Sequence, residues 1–180
     1  YLNWAGNFRR FFSHEEGTTG HITNDGKLLQ ISHPLTLMVL DLLGEAWPYS
    51  LSFDDIVAQT AIPGEEIAPH RRAIMRVMRT LFIKGIPALH GCQGADAWQR
   101  NRASTVSVHK SILALAGSEQ LADTLFNFWY ETVQITPEET ALLRQPVLKV
   151  DAENYRHVEN LRQKGLLMGS PQAWQKYYQQ

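Results

Sequence analysis

The chain has 180 residues, 44% apolar, 19% charged and 10% aromatic, a globular composition that excludes a disordered polypeptide. Its 17 Lys and Arg against 18 Asp and Glu leave a formal charge of −1, with 8 basic and 9 acidic residues over 1–92 and 9 of each over 93–180; a surface built mainly to grip nucleic-acid phosphates is usually basic, so this balance argues against that partner. A single cysteine, Cys92, excludes an intrachain disulfide and a Cys-rich zinc site and points to a reducing, cytoplasmic setting, while no run of 18 apolar residues offers a membrane span.

The chain opens Tyr1-Leu2-Asn3-Trp4, without Met or a signal peptide, and reads as a piece of a longer polypeptide. Tyr1 to Phe12 is aromatic-rich and is predicted as a short helix, with Arg9 and Arg10 toward solvent. His21-Ile22-Thr23 and Lys27 to Ile31 flank Asn24-Asp25-Gly26, and Asp-Gly between β-prone runs predicts a hairpin, because both central residues need positive φ. From Ser32 the pattern is helical. Pro34 suits a first turn, Leu35, Met38, Val39, Leu42 and Leu43 recur at helical spacing, and Gly44 and Pro48 are expected to end the helix. Ser52-Phe53-Asp54-Asp55 has the spacing of a capping box and opens a second helix, broken at Pro63-Gly64.

A third helix begins between Glu65 and Pro69 and runs to Lys84, stopped by Gly85. Its predicted core sector holds Ile67, Ile74, Met75, Met78, Leu81 and Phe82, with Arg72, Arg76 and Arg79 clustered on the opposite side. Ile86 to His90 then extends toward a β-ribbon, so residues 1–92 describe a winged-helix-like domain with an N-terminal extension. Residues 93–107 carry little periodicity and are expected to form a linker that contains Trp98. Beyond it, Val108–Ala116 and Glu119–Tyr130 read as helices and Thr132–Ile135 as a strand. Thr136-Pro137-Glu138-Glu139 is the clearest local signal: Thr caps, Pro takes the first helical position and Glu139 reaches back to the cap amide. Asp151 is expected to cap a further helix in which Tyr155, Val158 and Leu161 share a face, closed by Gly165, with Leu166 to Met168 as a short strand. Residues 108–180 thus read as a second helical, winged-helix-like subdomain. The predicted fold class is mainly α with short β-hairpins, in two tandem winged-helix-like subdomains.

Reactive chemistry is sparse. Neither G-x-G-x-x-G nor G-x-x-x-x-G-K-[ST] occurs, and G-x-S-x-G is absent. Cys92 has His90 two residues away, but that pairing is commonplace and reactivity requires a lowered thiol pKa, so an ordinary part-buried thiol is the simpler reading. His14-Glu15-Glu16, with His21 or His33 as a third ligand, has the start of a two-histidine, one-carboxylate metal site. With seven histidines in a turn-rich setting, surface histidines explain it as well. Trp4, Trp47, Trp129 and Trp174 are expected to pack in cores. The stripe Arg72, Arg76, Arg79 has two readings: the phosphate-contacting face of a DNA-binding helix, or the charged outer side that any amphipathic helix needs. No basic wing accompanies it, which favours a protein-facing or solvated stripe. No catalytic, cofactor or metal-ligating residue is assigned.

Ile31-Ser32-His33-Pro34-Leu35, then Leu40 to Leu43, Gly44-Glu45-Ala46-Trp47-Pro48 and Leu51-Ser52-Phe53-Asp54-Asp55-Ile56 carry a resemblance to a known family. The pattern resembles the methyltransferase regulatory domain, an accessory region of bacterial S-adenosylmethionine-dependent methyltransferases that include protein-lysine methyltransferases. Asn7-Phe8-Arg9-Arg10 looks like the N-R-x-F-R segment that precedes that region, without the Arg ahead of the Phe. The resemblance covers about residues 1–92 and is thin after 104. It implies a non-catalytic regulatory or substrate-recognition module that is not itself an enzyme. No cofactor is then expected in this segment, S-adenosylmethionine being held by an upstream catalytic domain. The implied partners are that catalytic domain in cis and a protein substrate, not nucleic acid or a membrane, with Arg72, Arg76 and Arg79 as the candidate interaction surface. The alternative expectation is a DNA-binding winged-helix transcriptional regulator.

Overall fold

The computed structural model of the protein describes residues 2–13, 18–23, 25–86, 88–93, 107–108, 112, 123–127, 129–145, 148, 151–169 and 171–178. The chain divides into two compact units, Tyr1–Gln99 and Arg100–Gln180. Residues 94–106 of the expected linker, with Trp98, lie outside the described residues, as do His14, Glu15 and Glu16.

The first unit begins with strands where a helix is predicted. β1 (Leu2–Gly6) and β2 (Phe8–Ser13) bracket the buried Asn7. Aromatic residues favour a pleated, half-buried surface as readily as a helix, and the partners that decide the matter are distant in sequence. β1 lies between β5 (Leu51–Ser52) and β6 (Leu89–Gln93), antiparallel to both, with Asn3 opposite Ser52 and Cys92. β2 pairs with β3 (Thr18–Thr23), and β3 with β4 (Leu28–Gln30), forming a second antiparallel sheet in the order β2-β3-β4. The β3–β4 hairpin closes where predicted, with Gly26 at φ 81° and its amide donating to the Thr23 carbonyl at 2.9 Å, but Asp25 does not take the positive φ expected of it.

Three helices form the rest of this unit. α1 (Pro34–Ala46) is capped by the His33 side chain, which accepts from the Thr36 amide. Gly44 does not end it; a Cβ there would collide with the Phe8 carbonyl oxygen, so this glycine admits the start of β2 against the helix. α2 (Phe53–Thr60) carries the predicted capping box, with Ser52 and Asp55 each bonding the other's backbone. α3 (Ile67–Ile83) stops at Gly85, which has φ 59°. Val39, Leu40 and Leu43 of α1, Ile56 of α2 and Ile74 and Met78 of α3 share one core with Trp4 and Phe8.

The second unit is built around Leu143, Val158, Leu161, Leu166 and Leu167. β7 (Ser107–Val108) pairs with β10 (Leu167–Met168), and β8 (Thr124–Phe126) with β9 (Thr132–Gln134). The Thr136–Glu139 capping box opens α4 (Pro137–Leu143) as predicted. α5 (Tyr155–Gln163) ends in a Schellman turn: Gly165 has φ 71° and donates to Arg162, while Leu166 donates to Leu161. Asp151 accepts from the Glu153 and Asn154 amides one turn before α5, so it shapes the approach to the helix without capping it. α6 (Pro171–Tyr178) follows β10.

The predicted fold class is therefore corrected to mixed α/β with small antiparallel sheets. Among the described residues α3 is followed by one strand, β6, which pairs with the N-terminal β1, and no β-ribbon of a winged helix follows the helix there. In the second unit the apolar run predicted as a helix over Glu119–Tyr130 contains strand β8, and Val108 belongs to β7. An apolar run of that length is compatible with either structure, and hairpin pairing with β9 selects the strand. Residues 113–122 lie outside the described residues.

Candidate functional site: a basic cleft in the first unit

The cleft is positioned from α1. Asp41 on that helix accepts from Nε2 of His21 at 2.8 Å and is gripped by the Arg10 guanidinium, whose Nε donates at 3.1 Å. His21 lies on β3 with 0% exposure and Arg10 on β2, so one carboxylate ties both strands to the helix. The hairpin then carries β4 into place. On the other side, α3 is tied to α2: the Thr60 hydroxyl lies 3.0 Å from Nε2 of the buried His70, and Arg71 pairs with Asp54 while stacking over the Phe53 ring.

Between these walls opens a cleft of about 870 Å³, within the range usual for ligand sites. Residues 28–33, the whole of β4 and the extended chain leading into α1, form one wall. Arg76, Thr80 and Lys84 of α3 edge the other, with Val77 and Leu81 as apolar floor. Successive side chains of a strand point to opposite faces, and all three residues of β4 line the cleft, so the open edge of β4 lies along it. Among the described residues, none that lines it is acidic. At the rim, His33 uses Nδ1 to accept from the Thr36 amide, which places the proton of the neutral ring on Nε2.

Arg72, Arg76 and Arg79 are all exposed on one side of α3, and among the described residues none pairs with a carboxylate. The structure separates them: Arg76 lines the cleft together with Lys84, while Arg72 and Arg79 do not. Lys84 went unassigned in the sequence, although its spacing of eight residues from Arg76 places both on one helical face. The predicted core sector is also corrected. His70, Ile74, Val77, Met78 and Leu81 are buried, whereas Ile67, Met75 and Phe82 are 56%, 53% and 63% exposed, Phe82 packing edge-on to Trp4. The buried arc of α3 is narrower than its apolar arc and centred nearer Val77.

Cys92 is half-buried, and that burial pushes its thiol pKa up, while Sγ donates to the Asn3 carbonyl. A protonated thiol is the reverse of an activated nucleophile. Of the candidate metal ligands, His21 pairs with Asp41 and His33 caps α1; no group of three metal-binding side chains occurs among the described residues.

No protein-family model matches the sequence, and no curated protein matches it. Among solved structures, the fold is similar to PKMT2 from Rickettsia typhi in complex with AdoHcy, at a TM-score of 0.66 and 10% identity, covering 93% of this chain and 42% of that one. It is likewise similar to PKMT2 from Rickettsia typhi in a second structure, with a TM-score of 0.63 and the same identity and coverage. PKMT2 is a protein lysine methyltransferase. The fold is similar to part of that methyltransferase. At this identity the likeness is one of fold, and the chain spans 42% of the length of the protein it matches.

Two expectations are withdrawn on this finding. The assignment of the segment as non-enzymatic and the assignment of no cofactor within it both fail against a fold shared over 93% of the chain with an AdoHcy-bound methyltransferase. Both follow from the resemblance to an accessory region and from the absence of a strand–glycine loop–helix signature, and a missing motif excludes only that form of site. The basic cleft itself does not fit S-adenosylmethionine. That cofactor carries a sulfonium cation and ribose hydroxyls of the kind a carboxylate accepts in nucleotide folds, whereas the described residues of this lining offer Arg76 and Lys84 and no acid. No methyl-transfer step is routed through it.

Proposed function

We propose that this chain is part of an S-adenosylmethionine-dependent protein-lysine methyltransferase, in a cytoplasmic setting, where it serves substrate recognition and regulation. The observation that carries this reading is the fold shared over 93% of the chain with AdoHcy-bound PKMT2. The surface supports it. Exposed arginines without carboxylate partners are suited to carboxylates on another protein, because the guanidinium fork binds them bidentately. Arg72, Arg76 and Arg79 form such a surface on α3, and the partners proposed for it are the remainder of the methyltransferase polypeptide and its protein substrate.

The test is methyl transfer by the natural protein that contains this chain, supplied with S-adenosylmethionine labelled in its methyl group and a panel of lysine-bearing proteins. Label recovered on lysine side chains is the expected result. Label confined to nucleic acid or small molecules, or no transfer to any acceptor, overturns the reading.

A further inference from the structure

We infer that the basic cleft of the first unit binds an extended acidic segment of a protein, which adds as a strand to the open edge of β4 while its carboxylates meet Arg76 and Lys84. The inference rests on the reading above only for whose segment this is, namely the protein substrate's; the binding follows from the cleft. β4 is the last strand of the β2-β3-β4 sheet, paired with β3 alone among the described residues. Half of its N–H and C=O groups therefore face away from β3, and an unpaired edge of this kind is a template for another extended chain. That chain has room. The wall from 28 to 33 runs along the cleft, and at about 3.3 Å per residue it matches an added strand of about six residues.

Charge selects which chain fits. Among the described residues Arg76 and Lys84 are unpaired and no acid lines the cleft to balance them. Eight residues of helix at about 1.5 Å each separate the two cations by about 12 Å along the α3 axis. An extended chain covers that distance in about four residues, and residues four apart lie on the same face of a strand. A segment that runs along α3 thus carries acidic residues at i and i+4, with Thr80 of the lining midway in sequence between the two cations.

Fluorescence anisotropy on the full chain tests this with labelled nine-residue peptides of threonine and valine bearing aspartate at the third and seventh positions. Moving one aspartate to the sixth position puts the acids on opposite faces and should weaken binding about threefold, as one charge pair is worth, while replacing both by asparagine removes the charge and should weaken it about tenfold, as two are worth. Methylating alternate backbone nitrogens on the bonding edge should cost at least about tenfold, since two or three hydrogen bonds are lost. Arg76→Glu with Lys84→Glu should abolish binding with the melting temperature unchanged, while Arg156→Glu with Lys176→Glu, exposed in the second unit and equal in charge, should leave it intact. Equal affinity for the displaced-aspartate or N-methylated peptide overturns strand addition. Full binding by the Arg76/Lys84 variant overturns the site, and preferential binding of a DNA oligonucleotide that displaces the peptide overturns the ligand class. Since the assay reads binding alone, a failed methyl-transfer assay and a failed peptide titration are separate results.

Discussion

Replacing Asp41 by Ala tests how the cleft is held. In the folded chain the carboxylate accepts from Nε2 of His21 at 2.8 Å, and Nδ1 of the same ring is buried without a partner. Asp41→Ala would leave a fully buried imidazole with neither nitrogen bonded, and an orphaned buried polar group costs about 1–3 kcal/mol. Loss of the Arg10 contact adds little, because Arg10 is 63% exposed and exposed ion pairs are worth about 0–1 kcal/mol. The sum is about 2–3 kcal/mol. For a unit of about 100 residues that lowers the melting temperature by about 10–20 °C. Asp41→Asn keeps an acceptor for His21 and should cost about 1 kcal/mol. Removing both partners, as His21→Leu with Asp41→Leu, should restore most of the loss, because two apolar groups leave nothing unsatisfied. Urea unfolding of these three variants, with His21→Leu and Asp41→Leu as the single members of the cycle, measures the coupling, and peptide affinity below each melting transition reports whether β4 has shifted. A loss under about 0.5 kcal/mol in Asp41→Ala, or strict additivity in the double variant, would refute the argument that this contact anchors the β2-β3-β4 sheet.

Charge reversal of Arg72, Arg76 and Arg79 together should leave stability within about 1 kcal/mol, since all three are exposed, and should reduce kcat/KM for a protein substrate at least about tenfold; unchanged turnover returns the stripe to a solvated face. Trp47→Ala should cost about 3–5 kcal/mol by denaturant unfolding, because Trp47 is only 3% exposed and stacks on His90 with ring centroids 5.8 Å apart; a loss below about 1 kcal/mol would show an indole that packs loosely. In the β3–β4 turn, the Thr23 hydroxyl and then Lys27 hold the Asp25 carboxyl below the ordinary aspartate value of 3.8. A carboxyl lowered on folding stabilises the folded form above its unfolded pKa and loses that contribution as pH falls through the folded value. Hairpin amide protection, followed by hydrogen exchange, should therefore be level from neutral pH to about 4 and decline below it, and Asp25→Asn should remove the decline; an unchanged acid limb in that variant would sink the assignment.

Features of the fold that depend on neighbours within about five residues were legible in the sequence. Both capping boxes, Ser52 with Asp55 and Thr136 with Glu139, form as their spacing predicts, as do the turn at Gly26 and the stops at Gly85 and Gly165. Each is set by a backbone amide that needs an acceptor or by a positive φ, and the residue that answers it is close by in the chain. The exposed arginine side of α3 follows from helical periodicity in the same way. Tertiary structure alone decided the rest. β1 is a strand because Leu2 to Gly6 meets Leu89 to Gln93, a pairing with no local signature, where the sequence predicts a helix. Gly44 reads locally as a helix stop but serves the Phe8 backbone, which reaches it only after folding. The same holds for the cleft. Arg76 and Lys84 are visible as a spacing, but the edge of β4 opposite them is placed by His21, Asp41 and Arg10, three residues brought together from β3, α1 and β2. Contacts between segments far apart in sequence are selected by the burial and hydrogen bonding of the whole unit, and a one-dimensional pattern records each participant without recording which one it will meet.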